Sequence, residues 1–446
     1  MSPGGLTRHP SPGPVRPVAP PARGAPPRAI LAAVAHPVSD MISVERALEL
    51  LLGATPVLPQ ETVPLGAAAG RVLAEEIRAD ADVPAFDKAL MDGFAVRSSD
   101  LAGGARDLVV VREIPAGTDP ATLPALATGT AARIMTGAPL PPGADAIVPV
   151  EETEAASGDR GAVRCAAVRP GDHRAPRGAD VRAGATLLAP GDFIGAAEVA
   201  VLAACGRAAV RVGGRPRTAV LATGDELVAP GETPAPGRLR NSNGPMLLAL
   251  AARAGAGIAD LGIAPDDPAR LRAAMERGLE ADLLLISGGV SMGARDFVGA
   301  TLRDLGAEIL FERVAIRPGK PFTAARRDRS IVCACPGNPA SSYVIFQVFA
   351  RAVLRRMAGH PHPGPSPVRG CLAAPARQKP GRAGYWQAHA ALVDGRLTAE
   401  ILPSSGSADI VACARGNALV VLPAGTGTRA AGEAVDMLLL DDSFDR

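Results

Sequence analysis

Residues 283–293 read LLLISGGVSMG, an apolar run followed directly by a loop with three glycines in seven positions. The run 283–286 has the length and composition of a buried strand. In the loop, Gly288 and Gly289 allow backbone N–H groups to approach an anion, and a following helix would point its positive N-terminal end there. A plain tight turn explains these glycines equally well. The stretch therefore predicts a strand end that either turns the chain or binds phosphate.

The sequence on both sides of this stretch alternates between strand-like and helix-like patterns. Apolar runs and helical patterns take turns at residues 219–221, 243–254, 257–261, 268–279, 308–311, 331–335 and 339–357. This alternation predicts a doubly wound parallel β-sheet with helices on both faces. Ligands of such sheets bind outside the carboxyl ends of the strands. The residues that follow each strand are therefore the candidate site.

The segments that follow the predicted strands are rich in glycine, proline and charge. They read TGDE at 223–226, SGGVSMG at 287–293, RPGKP at 317–321 and PGNP at 336–339. Arg317 and Lys320 add two cations that can pair with phosphate or another oxyanion. Lys320 is one of only three lysines among 47 Lys and Arg residues. Its persistence indicates a position that requires a compact ammonium, although chance survival at the surface explains it equally well.

Several carboxylates accompany these segments. Asp225, Glu226 and Asp296 follow predicted strands, whereas Asp92 and Asp180 occur in glycine-containing turns upstream. Carboxylates beside phosphates need a bridging cation, and Mg²⁺ commonly takes this role. The pattern therefore favours a site that combines phosphate with Mg²⁺.

Other polar residues near the turns have simpler interpretations. Asp267 precedes Pro268 and is predicted to cap a helix, which leaves Asp266 as a weaker site candidate. Ser291 and Ser341 follow glycine or proline turns without a neighbouring base, so we interpret them as hydrogen-bond donors to an anion. No histidine is spaced from another ligand or base as zinc sites and catalytic triads require.

The chain as a whole reads as an α/β protein of several domains, because 446 residues exceed what one core usually supports. Residues 1–40 contain ten prolines and predict a disordered Pro/Arg-rich tail. Short Val/Ile runs between glycines and prolines predict a β-rich insertion and a compact, barrel-like β domain at the end. The predicted divisions are the tail at 1–40, a discontinuous N-terminal domain at 41–82 and 177–213, the insertion at 83–176, the α/β domain at 214–360 and the C-terminal domain at 364–446.

Composition excludes some partners. A net charge of +2 gives no electrostatic reason to expect nucleic acid or an anionic membrane. No apolar run approaches the roughly 20 residues of a membrane-spanning helix. Six scattered cysteines without a CxxC pair suit reduced thiols, and Cys333 and Cys335 are predicted to share one face of a strand. We therefore expect a cytoplasmic protein.

Six segments, taken in order, resemble motifs of the molybdopterin molybdenumtransferases, the family of MoeA and the gephyrin E domain. They are MDGF at 91–94, RIMTGAPLP at 133–141, TGDEL at 223–227, SGGVSMG at 287–293, RPGKPF at 317–322 and PGNP at 336–339. The resemblance extends from residue 41 to about residue 440. Six ordered motifs are far more specific than any one of them.

The resemblance implies an activity and a set of site residues. Such an enzyme inserts molybdate into the dithiolene of adenylylated molybdopterin in the presence of Mg²⁺, and releases AMP and molybdenum-loaded molybdopterin. It is a homodimer, and a molybdopterin adenylyltransferase supplies its substrate. We assign Glu226 and Asp296 as Mg²⁺ ligands. The positions that it implies as lining or shaping the site are Asp92, Thr136, Asp180, Glu226, Asp266, Asp296, Lys320, Pro336, Pro339 and Ser407, to which the strand-end analysis adds Gly288, Gly289, Ser291, Arg317 and Ser341.

Three positions depart from the family's pattern. Ala175, Ala179 and Gln387 stand where arginine, glutamate and arginine are usual, which leaves the oxyanion side of the site incomplete. A molybdopterin adenylyltransferase is one alternative, because the α/β segment alone resembles that family, but the flanking domains argue against it. A non-catalytic scaffold on the same fold is another alternative. A scaffold would not need to keep Lys320 and Asp296.

Overall fold

The computed structural model describes residues 41–156, 161–289 and 297–440. The tail predicted for residues 1–40 lies outside this description, and so do the predicted site residues Ser291 and Asp296.

Small antiparallel sheets join distant parts of the chain up to residue 212. Strands β1 and β12, β2 and β11, and β3 and β10 pair with one another, whereas the strands between β3 and β10 form a six-stranded sheet in the order β7-β4-β6-β5-β9-β8. These pairings support a discontinuous N-terminal domain with a β-rich insertion, whose boundaries remain a prediction. The elements are α1 Val44–Ala54, β1 Glu61–Pro64, β2 Ile77–Arg78, β3 Lys88–Ala89, β4 Gly93–Val96, β5 Arg106–Ile114, β6 Thr130–Ile134, β7 Ala146–Pro149, β8 Thr153–Ala155, β9 Ala162–Cys165, β10 Arg174–Ala175, β11 Thr186–Leu188, α2 Ala196–Ala204 and β12 Ala209–Val212.

The next part of the chain forms the α/β region that the alternating pattern predicts. Its elements are β13 Arg217–Thr223, β14 Leu227–Val228, β15 Leu239–Arg240, α3 Asn243–Arg253, β16 Gly257–Ala264, α4 Pro268–Gly278, β17 Leu283–Ser287, α5 Phe297–Asp304, β18 Glu308–Phe311, β19 Ile316–Arg317, β20 Thr323–Arg327, β21 Ser330–Cys335, α6 Pro339–Ile345, a π-helical turn Phe346–Ala350 and α7 Arg351–Met357.

Six of these strands form one sheet in the order β16-β13-β17-β21-β20-β18. The first four are mutually parallel, which confirms the doubly wound fold predicted from the sequence. Strand β20 is antiparallel to both of its neighbours and was not predicted. The sheet is therefore mixed, with its parallel strands on one side.

Side-chain alternation along the central strand β17 covers both faces of the sheet. Leu283 and Leu285 are buried in the core beneath α1, α3, α6 and α7, whereas Leu284 and Ile286 are buried in the core beneath α4 and α5. A strand covered on both faces is apolar at every position, which explains the continuous run in the sequence. Cys333 and Cys335 lie in the first of these cores, so the prediction that they share a face is confirmed.

The C-terminal region contains a closed five-stranded β-barrel in the order β24-β25-β22-β28-β26, with β26 pairing back to β24. This confirms the predicted barrel-like domain. Short strand β19 also pairs with β24, so the 317–321 turn is attached to the barrel. The elements are β22 Val368–Leu372, β23 Ala376–Arg377, β24 Ala383–Val393, β25 Arg396–Ile401, α8 Ile410–Arg415, β26 Ala418–Leu422, β27 Thr428–Arg429 and β28 Ala434–Leu439.

Among the described residues, no helix combines the length and apolar character that crossing a membrane requires.

Candidate functional site

A cavity of about 730 Å³ opens at the carboxyl edge of the parallel strands. Its walls are the segments that follow β13, β16, β17 and β21, the start of α3, and residues just before and within α8. This is the edge at which ligands of doubly wound sheets bind. Six of the predicted site residues line the cavity: Glu226, Asp266, Gly288, Gly289, Pro336 and Pro339.

The glycines after β17 are required by their backbone and by close packing. Gly288 has a φ of +100°, and a Cβ there would lie 2.3 Å from the carbonyl oxygen of Thr223. Gly289 has a φ of +66°, and its Cβ would lie 2.6 Å from Val298 Cγ2. The Gly288 amide donates to the Cys335 carbonyl at 3.1 Å, so this N–H is already used within the protein. An anion at this loop would have to bind other donors.

Two of the predicted carboxylates lie at the cavity wall after neighbouring strands. Glu226 is exposed, and Asp266 accepts a hydrogen bond from Thr223 Oγ1 at 3.2 Å. Asp225 has a structural task, because its Oδ1 accepts the Asp266 amide at 3.1 Å and joins the two turns. Among the described residues, no group of three or more His, Cys, Asp and Glu side chains is arranged to hold a metal.

The turn after β21 connects the sheet to the C-terminal region. Asn338 Nδ2 donates to Ser407 Oγ at 3.0 Å, and the Ala340 amide donates to the Ser407 carbonyl at 3.0 Å. Ser407 therefore positions the start of α6 next to the cavity without lining it. Ser341 is only 2% exposed and does not line the cavity either.

Of the two predicted cations, Arg317 ends β19 and Lys320 lies in the turn that follows. Pro321 lines the cavity, whereas Arg317 and Lys320 do not. The Lys320 carbonyl accepts the amides of Val314 and Phe322 at 3.1 and 3.0 Å, which fixes the backbone of the turn. Arg382 lies near Arg317, and its pKa is lowered by burial and by the Arg317 charge.

A second group of predicted residues lies in the N-terminal half and does not line the cavity. Asp92 Oδ1 accepts the backbone amide of Thr136 at 2.6 Å and its hydroxyl at 2.7 Å. These two bonds hold the pKa of the Asp92 carboxyl below its usual value, the amide having the larger effect. Asp180 is exposed, and its amide donates to Val83 in a turn. The structure thus brings Asp92 and Thr136 together, but not with the cavity.

The departures from the family's pattern have plain structural settings. Gln387 is buried in the barrel, where its Nε2 donates to Cys413 Sγ at 3.2 Å. Burial raises the pKa of Cys413 to about 12, so this thiol stays protonated. Ala175 pairs with Lys88 at the edge of a two-stranded sheet, and Ala179 is exposed in a turn.

Several residues that line the cavity were not predicted. Asn241 follows β15 and Asn243 begins α3, whereas Ala408 and Ile410 come from the C-terminal region. The asparagines carried a weak signal, since asparagine is favoured at helix N-termini and a helical pattern begins at residue 243. Ala408 directly follows Ser407, which the family resemblance had placed at the site, whereas no residue pattern pointed to Ala408 or Ile410 themselves.

Models of known families match the described parts of the chain. The MoeA N-terminal region, domains I and II, matches residues 42–206. A probable molybdopterin-binding domain matches residues 219–356. The MoeA C-terminal region, domain IV, matches residues 369–440.

Individual proteins are similar over most of the chain. A molybdopterin molybdenumtransferase of Synechococcus elongatus is 35% identical over 414 residues, which cover 89% of this chain and 99% of the relative. Molybdopterin molybdenumtransferase 2 of Mycobacterium tuberculosis is 40% identical over 68% of this chain and 76% of its own length. The crystal structure of the MoeA molybdopterin biosynthesis protein of Pyrococcus horikoshii has a TM-score of 0.75 and 28% identity, and the match covers 90% of this chain and all of that one.

Proposed function

Since the chain belongs to the molybdopterin molybdenumtransferase family and thus to molybdenum cofactor biosynthesis, we propose that it inserts molybdate into adenylylated molybdopterin and releases AMP and molybdenum-loaded molybdopterin. The observation that carries this proposal is the cavity at the carboxyl edge of the sheet. There a glycine loop, two carboxylates and the 336–339 turn meet in a space of about 730 Å³. A pocket of that volume is ample for a phosphorylated pterin.

Electrostatics explains why the proposed reaction needs cations. Molybdate is a dianion and the substrate carries phosphates, so the two repel each other unless fixed positive charge lies between them. Lys320 and Arg317 lie in the turn next to cavity-lining Pro321. Gln387 is uncharged at a position where the family usually has arginine. Arg382, beside Arg317, supplies positive charge in this region instead. The repulsion between two neighbouring guanidinium groups is reduced when both of them contact the same anion.

The proposed Mg²⁺ would bind carboxylates at the same edge. Mg²⁺ in phosphate sites is usually held by one or two carboxylates and keeps several waters. Glu226, exposed at the cavity wall, fits this donor requirement, and Asp296, outside the described residues, is the second proposed ligand. When bound, the ion would neutralise phosphate charge. Gly288, Gly289, Pro336 and Pro339 then shape the wall against which the substrate is oriented.

The proposed activity also implies a supplier of the substrate. An adenylylated substrate must come from an adenylyl transfer, so a molybdopterin adenylyltransferase is the proposed supplier. We further propose a homodimer in the cytoplasm. All six cysteines are free, which supports a reducing compartment.

The test is AMP release from purified protein, adenylylated molybdopterin and Mg²⁺, with and without molybdate. We expect release only when molybdate is present. Release that does not depend on molybdate would contradict the insertion reaction. A protein that consumes ATP and molybdopterin instead would be an adenylyltransferase, and one that binds the substrate without any turnover would be a scaffold.

A further inference from the structure

We propose that Asn243 is a positioning residue, which holds two loops of the cavity wall in the geometry that binds the pterin substrate. This inference rests on the proposed function. Asn243 is the first residue of α3 and lines the cavity. It belongs neither to the family motifs above nor to the predicted site residues.

The contacts of Asn243 join two strand ends. Its Nδ2 donates to Ser287 Oγ at 2.7 Å and to the Gly337 carbonyl at 2.8 Å. Ser287 ends β17 and leads into the glycine loop, while Gly337 belongs to the turn after β21. Because a carbonyl can only accept, the second bond fixes which end of the amide faces the loops. One side chain thus bridges the two loops between which the cavity opens.

The opposite end of the same amide is unsatisfied. Asn243 is 6% exposed, and its Oδ1 is buried without a hydrogen-bond partner among the described residues. Leaving a buried acceptor unpaired costs stability, so such a group calls for an explanation. Its place in the wall of the ligand cavity points to a role in binding.

The start of α3 is packed tightly enough to hold Asn243 in place. Asn241 Oδ1 accepts the Gly244 amide at 2.9 Å, and a Cβ at Gly244 would lie 2.7 Å from Asn241 Nδ2. The loops themselves are linked by the bond from the Gly288 amide to the Cys335 carbonyl. Removal of the Asn243 amide would therefore remove the bonds to Ser287 Oγ and to the Gly337 carbonyl, and would leave the bond between Gly288 and Cys335 in place.

Asn417 provides a matched control elsewhere in the chain. It is also a buried asparagine, 2% exposed, and its amide bonds to Ala390 through both ends, at 2.6 and 2.9 Å. It does not line the cavity. Truncation of Asn417 should lower the unfolding temperature at least as much as truncation of Asn243, without changing ligand affinity.

The experiment measures, for each variant, the Kd of adenylylated molybdopterin by calorimetry without molybdate, the unfolding temperature, and kcat and KM for AMP release. Asn243→Ala and the isosteric Asn243→Asp, which lacks the donor, should raise Kd by about tenfold or more, or about 1.4 kcal/mol. KM should rise with Kd, and kcat should change by less than about threefold. Ser287→Ala, which removes one of the two partners, should give a smaller increase and keeps the test valid if Asn243→Ala does not fold.

Three results would overturn the assignment: a wild-type Kd in both Asn243 variants, a wild-type Kd in Asn243→Asp alone, or an equal loss of affinity in Asn417→Ala. The wild-type protein separates this inference from the proposed function. If it binds the substrate but releases no AMP, the proposed function fails and the binding role of Asn243 is still decided by the Kd values.

Discussion

Single carboxylates in this chain have distinct tasks that their partners define. Asp92 is bonded twice by Thr136, which favours its charged form. Asp225 bonds the Asp266 amide, and Glu226 is exposed at the cavity. Since the three carboxyl groups have the same chemistry, the difference comes from what surrounds each one.

The Asp92 contact should make part of the stability depend on pH. A carboxyl whose pKa is lowered in the folded protein stabilises it above the unfolded pKa, about 3.9, and loses this effect as pH falls through the folded pKa. Asp92→Asn should therefore lower the urea midpoint at neutral pH, with a smaller difference from wild type near pH 3. A difference that is the same at both pH values would contradict the assigned cause.

Lys320 should matter for turnover rather than for stability. Lys320→Ala should lower kcat/KM for AMP release by about 100-fold, because the positive charge that we propose to offset the two anions is lost. The unfolding temperature should change little, since the turn is fixed by the Lys320 backbone. Lys379→Ala, an exposed lysine in the C-terminal region, is the control. Unchanged turnover in Lys320→Ala would remove this residue from the site.

Two adjacent aspartates at the N-terminus of α4 make different contacts. Asp267 Oδ1 accepts the Arg270 amide at 2.8 Å, as predicted for a helix cap before proline. Its neighbour Asp266 instead accepts from Thr223 and lines the cavity. The two residues are adjacent in sequence and have the same side chain.

Asp266 and Asp267 should respond differently to truncation. Asp267→Ala should reduce the free energy of unfolding by about 1 kcal/mol, because a capping bond is lost, and should leave AMP release unchanged. Asp266→Ala should lower kcat/KM by about tenfold or more with a smaller loss of stability. Chemical denaturation and the AMP assay on both variants check this, and the reverse assignment of the two effects would contradict it.

The elements predicted best are those buried on both faces. Strands β13, β17 and β21 could be predicted from their apolar runs, because helices cover both faces of these strands and every side chain of the runs is buried. Strand β20 was missed because its sequence, TAARR, contains two arginines and no large apolar residue. It is a strand because it pairs with β21 on one side and with β18 on the other. Propensity cannot show such pairing, since it depends on residues distant in sequence.

Across the whole molecule, the predicted site residues fall into those that line the cavity and those that do not. Motifs that follow parallel strands had to meet at one edge of the sheet, so Glu226, Gly288 and Pro336 could be placed together from sequence. The roles of Asn243 and Ser407 depend on hydrogen bonds between segments far apart in the chain, which sequence patterns do not contain. Asp92 and Thr136 lie next to strands of the inserted sheet and do not line the cavity.

We propose that this cavity couples AMP release to insertion of molybdenum into the pterin. A single turnover with excess enzyme tests this coupling when released AMP and pterin-bound molybdenum are counted in the same sample. The two should be equimolar, and both should fall together in Lys320→Ala. AMP released without molybdenum in the pterin product would contradict it.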